Sequence, residues 1–255
     1  MIFSAGSLAN LINQKCEAKS ELTIGDGLTS FLRGCNKAVA TAITEVHNTW
    51  QNGVTVDNVM VNGGICAPSG PVTGAIGVGP VGCLSASLSN TTNTILQQYV
   101  IQEFEDLTEA TEGYMTAIGE GYETAINDFI RSATIMNILV NGGSCTCVVA
   151  PAPTPGGFSG GTGELPALQG SAAGLLPTVS IIELHIKNSM TSHFYVGDGL
   201  TPAIVAHIRA LAEAFGQYFD EWLSNTSLSD LKVDGGTSLP VGALIMATGQ
   251  GGKLV

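Results

Sequence analysis

Apolar positions recur at spacings of three and four residues in three long stretches of this chain, each closing on a large aromatic. In the first, Leu28, Phe31, Leu32, Cys35, Val39, Ile43, Val46 and Trp50 form one stripe. Leu107, Ala110, Thr111, Tyr114, Ile118, Tyr122, Ala125 and Phe129 keep that spacing. Leu200, Ala203, Ile204, His207, Leu211, Phe215, Tyr218 and Trp222 keep it a third time. Side chains three and four apart share a helix face, so three amphipathic helices are predicted, each burying its stripe. Thr29, Thr108 and Thr201 stand where an N-cap hydroxyl accepts a free backbone N–H, and Pro202 takes the favoured first helical position. Asp26 and Asp198 suit the positive end of the helix dipole. Capping is preferred to a calcium loop for these Gly-Asp-Gly strings, because no run of further oxygen ligands follows.

Each stripe leads to the same short loop: Val61-Asn62-Gly63-Gly64, Val140-Asn141-Gly142-Gly143 and Val233-Asp234-Gly235-Gly236. A shorter apolar segment precedes each one. Leu8–Ile12 and Thr94–Ile101 read as helix, whereas helix and strand compete in the β-branched Val179–Ile186. After each Gly-Gly comes an arm rich in Gly, Pro and Val, expected to form short strands or extended ribbons lying along a neighbour, unordered before assembly. The expected fold class is therefore α+β, with three pseudo-repeats. Each is a short segment plus a long amphipathic helix followed by a Gly/Pro-rich β or extended arm. The expected boundaries are 1–84, 85–170 (with the loosest arm) and 171–255. Units of this size are marginal alone, so they are expected to pack on one another.

Charge changes the picture in one respect. The net charge is −12 with only 12% charged residues, and Glu103, Glu105, Asp106, Glu109, Glu112, Glu120, Glu123 and Asp128 crowd the middle helix against Arg131. Such a surface repels phosphate backbones, so direct nucleic-acid binding is not expected. The acidic helix reads as a solvated face, with a docking face for a basic partner as the sharper alternative. No apolar run reaches membrane-spanning length, and no targeting segment is visible, so synthesis in a cytoplasm is expected.

Candidate chemistry is sparse. Gly77-Val78-Gly79-Pro80-Val81-Gly82 has dinucleotide-motif spacing, but Pro80 removes an N–H and no acidic residue stands near the required offset. His207 falls on the buried stripe at the position of Cys35 and Tyr114, and reads as a packed residue. No metal, cofactor or catalytic residue is expected. For Cys66, Cys83, Cys145 and Cys147 three readings compete: structural zinc, free buried thiols, and disulfides or inter-subunit cross-links formed after release. Cys66 and Cys145 stand at the same place in their units, two residues after Gly-Gly.

The capped helices, the Asn-Gly-Gly or Asp-Gly-Gly loops and the trailing Ala247-Thr248-Gly249-Gln250-Gly251-Gly252-Lys253-Leu254 together resemble virion structural proteins of tailed bacteriophages. The resemblance is one of style over the whole chain. It implies a head accessory, neck, tail or baseplate component in the virion, a non-enzymatic structural protein of capsid or viral tail. Such a component is made in the host cytoplasm and contacts other virion proteins and copies of itself, with no cofactor. A glycan- or small-molecule-binding module displayed on the particle is the alternative, and a cell-wall hydrolase a more distant one.

Overall fold

The computed structural model describes residues 4–23, 27–62, 65–66, 70–102, 108–145, 158–159, 161–165, 176–193, 200–237, 246–250 and 252–255. Within them the protein is mixed α+β. A helix pair followed by antiparallel strands occurs three times in succession.

The helices are α1 (Ala5–Glu17), α2 (Ser30–Gly53), α3 (Thr91–Ile101), α4 (Glu109–Ser132), α5 (Val179–His193) and α6 (Pro202–Asn225). Thr29, Thr108 and Thr201 cap the long helices α2, α4 and α6, each hydroxyl accepting the N–H three residues on. Pro202 occupies the first turn of α6. The ambiguous third segment is a helix. It buries Ile182, Ile186 and Met190, a spacing of four that only a helix puts on one face. Asp26 and Asp198 lie outside the described residues.

The three long helices run parallel and meet along one line, in levels. Cys35, Tyr114 and His207 form the first. Below it Val39, Ile118 and Leu211 are wholly buried, and so are Ile43, Tyr122 and Phe215, with the Tyr122 and Phe215 rings 5.0 Å apart. The last level holds Trp50, Phe129 and Trp222. Phe31 departs from expectation. It is 50% exposed, and Ala110 and Ala203, at the same level of their helices, are exposed too.

The short helices fill the outer grooves between long ones. Asn36 of α2 donates to Asn13 of α1 at 2.9 Å, and Lys19, just past α1, meets Glu213 of α6 at 2.8 Å. The carboxylates of α4 are not simply a solvated face. Glu123 accepts the Thr91 N–H at the start of α3, at 3.1 Å. Glu120 and Asp128 meet His193 and His185 of α5, at 2.7 and 3.3 Å. Glu109 and Glu112 are exposed.

The strands follow the long helices: β1 (Thr55–Val56), β2 (Val59–Asn62), β3 (Ile65–Cys66) and β4 (Gly70–Gly79) after α2; β5 (Ile135–Cys145), β6 (Phe158–Ser159) and β7 (Gly161–Leu165) after α4; β8 (Leu228–Thr237), β9 (Met246–Gln250) and β10 (Gly252–Leu254) after α6. All pairings are antiparallel. The order β8-β7-β5-β4-β2-β9, together with the β8–β9 pairing, makes a closed circuit of six strands. The described parts of the arms thus pair within the chain. Val59, Val61, Ala75, Ile138, Val140, Leu231 and Val233 point inward and are buried, while Met60, Ile76, Leu139 and Lys232 alternate outward. In the inward row Gly77 leaves no room for a side chain, since a Cβ there would lie 2.9 Å from Val59.

Candidate functional site

At the open end of the three-helix line, where the first turns of α2, α4 and α6 diverge, lies a cleft of about 270 Å³. Phe31, Leu32 and Cys35 line it from α2, Ala110, Thr111, Tyr114 and Met115 from α4, and Ile204 and His207 from α6. The helical period places the side chains here. In each helix the residue seven after the cap position's neighbour Leu28, Leu107 or Leu200 returns to the shared face.

The floor is a hydrogen-bonded relay. The Tyr114 hydroxyl lies 2.6 Å from His207 Nδ1, and His207 Nε2 lies 2.8 Å from Asn36 Oδ1. Asn36 Nδ2 donates in turn to Asn13 Oδ1 at 2.9 Å and more weakly to Cys16 Sγ at 3.6 Å. The Asn36 oxygen only accepts, so His207 carries its proton on Nε2, and Nδ1 accepts from the Tyr114 O–H. Burial disfavours the imidazolium and pushes the His207 pKa down to about 4, so the relay holds a neutral imidazole. Burial also pushes the thiols of Cys35 and Cys16 up, to about 12 and about 11, and raises the Tyr114 phenol above its ordinary range. At neutral pH every one of these groups is uncharged, and nucleophilic chemistry needs the thiolate. What the cleft offers is an apolar, shaped surface on a pinned floor.

Comparison of the chain with protein-family models, curated proteins and solved structures found no match.

The cysteines singled out by their place on the arms separate in the structure. Cys83 is a free, buried thiol, 3.8 Å from the Ala133 carbonyl oxygen and pushed up by burial. Cys66 in β3 pairs through its backbone with Val72, and Cys145 at the end of β5 pairs with Gly70. The two backbones thus flank one stretch of β4 from opposite sides. Cys147 lies outside the described residues. Gly77 and Gly79 belong to β4, and Gly82 sits in a turn at φ +74°. No helix opens within this string, as a dinucleotide site would require. Among the described residues no cluster of His, Cys, Asp or Glu could hold a metal ion, and no helix is long and apolar enough to cross a membrane.

Sequence reasoning placed Cys35, Tyr114 and His207 at one level but missed their hydrogen bonding, and it missed Asn36 altogether. The available signal was a polar residue next to the stripe: Asn36 stands one residue after Cys35, on the side that faces both α1 and α6.

Proposed function

We propose that this chain is a structural assembly component of a tailed-phage particle, placed as a head accessory, neck, tail or baseplate part. It would act through repeated contacts with other virion proteins and with copies of itself, without direct nucleic-acid or membrane contact. It is built as three copies of one unit, 1–84, 85–170 and 171–255, set around a pseudo-threefold line.

One observation carries this proposal: corresponding special positions match in three places. The three Thr caps, the three 24-residue helices and the three left-handed residues Asn58, Asn137 and Asp230 keep the same internal distances. A left-handed non-glycine residue is uncommon, so three at matching places support a common unit. A body with that internal symmetry fits a threefold or sixfold axis of a larger assembly, while divergence frees each face for a different neighbour. Apolar side chains left on the outside of the strands, Met60, Ile76 and Leu139, fit a surface meant to be covered.

Mass spectrometry of purified particles, with and without reductant, is the test. Recovery of the chain in stoichiometric amount is expected, and its absence from the particle defeats the proposal. The cleft favours one alternative, a small-molecule- or glycan-binding module on the particle. Saturable binding of a cell-wall glycan by the purified protein, lost on filling the cleft with Ile204→Trp, would favour that alternative.

A further inference from the structure

His47 is wholly buried where the three long helices approach the strands. Its ring is boxed by aromatics, edge-on to Trp50 and Trp222 at centroid distances of 5.5 and 4.9 Å and to Tyr218 at 5.7 Å. Phe219 lies at 6.4 Å. Nδ1 lies 3.3 Å from the Tyr122 hydroxyl, and Nε2 has no hydrogen-bond partner among the described residues. The residues at the matching positions of α4 and α6 are Ile126 and Phe219, both buried and apolar. An apolar residue would therefore pack at this level, and a histidine in its place leaves a buried polar atom unsatisfied.

We infer that His47 is a proton-triggered latch, and that its protonation separates the three long helices at the end where they meet the strands. Whichever nitrogen holds the proton in the neutral ring, the imidazolium has two N–H donors, and the one at Nε2 finds no acceptor. The polar groups facing it are Tyr122 from α4 and Tyr218 from α6. Both are uncharged, and no charged side chain among the described residues acts on the ring. A buried cation with no counter-charge is relieved by letting water in.

The direction in pH follows. Burial pushes the His47 pKa from 6.5 down to about 3. Between those values the open chain takes up a proton that the closed form refuses. The latch is then fully closed above about pH 6.5 and weakens as pH falls toward about 3.

The chain has two tryptophans, Trp50 and Trp222, and both touch His47. Tryptophan emission and near-UV circular dichroism of the full chain, followed from about pH 8 to about pH 3, therefore read this site directly. A red shift with loss of near-UV signal is expected as the pH falls. In His47→Phe the midpoint should move down by at least about one pH unit. His47→Ile repeats the test with the residue that stands at this position in α4, should the first variant fail to fold. His207→Phe serves as the comparison and should move the midpoint less. An unchanged midpoint in both His47 variants overturns the inference. So does a midpoint that moves only with His207.

Discussion

A methyl group at Gly121 would lie 2.5 Å from the Ile186 Cα and 2.6 Å from its backbone nitrogen. That glycine is what lets α5 press its backbone against α4. Gly119 does the same for α3, with Thr92 Cα at 2.8 Å from the added carbon. In open helix, Gly→Ala gains about 0.5–1 kcal/mol. Here the clash is with backbone and cannot be turned aside, so Gly121→Ala should cost about 1–3 kcal/mol net. Gly6→Ala, with nothing within 4 Å, should be stabilising. Urea unfolding of the two variants checks the contrast, which depends on the opposite signs. The same scale applies to the relay under the cleft. Tyr114→Phe leaves His207 Nδ1 buried without its donor and should cost about 1–3 kcal/mol. Replacing both residues with Phe should cost less than the sum, and a double-mutant cycle with thermal unfolding measures the difference. The sequence placed these two residues at one level. Their hydrogen bond depends on side-chain direction and on Asn36 across the helix pair, which periodicity does not encode.

The helices, by contrast, were legible as elements. Thr29, Thr108 and Thr201 announced where α2, α4 and α6 begin, because a capping hydroxyl satisfies an N–H the helix itself leaves free. Removing the cap by Thr201→Ala should lower stability by about 0.5–2 kcal/mol, with the denaturant slope unchanged. Pro202 does not compensate, since it presets a backbone angle but accepts no hydrogen bond. Chemical denaturation of this variant beside Thr29→Ala would show whether the proline changes the cost. The third short segment was harder. Val179, Ile181, Ile182 and Ile186 favour a strand by side-chain type, yet α5 forms because Ile182, Ile186 and Met190 find the groove between α4 and α6. Tertiary burial outweighed local propensity there. Phe31 departs from its stripe in another way: it lies on the stripe by spacing, yet half of its surface is exposed.

At the scale of the molecule, the strand circuit was the least legible feature. β4 pairs with β5, β7 with β8 and β9 with β2. Each of these joins arms from different stretches of chain, and no local pattern specifies such partners. What the alternation did carry is which side faces out, and that bears on assembly. Ile76 stands directly across from Leu139, and Met60 is its diagonal neighbour on the β2 side. At the place of Met60 and Leu139 the third set of strands has the exposed Lys232. Among the described side chains the outer surface is apolar at Met60, Ile76 and Leu139 and charged at Lys232, so that apolar group is suited to lying against another protein. If the assembly proposal holds, Ile76→Asp with Leu139→Asp should leave the chain folded at a cost of about 1–2 kcal/mol, because both side chains are about half exposed but the two aspartates face each other across β4 and β5. The same pair of changes should abolish association by placing charges in a desolvated contact. Lys232→Ser should do neither. Sedimentation velocity on the purified chain, and recovery of each variant in assembled particles, would read the outcome. Undiminished incorporation of the double aspartate variant would mean that the contact lies elsewhere, leaving the cleft between Phe31, Tyr114 and Ile204 as the next surface to alter.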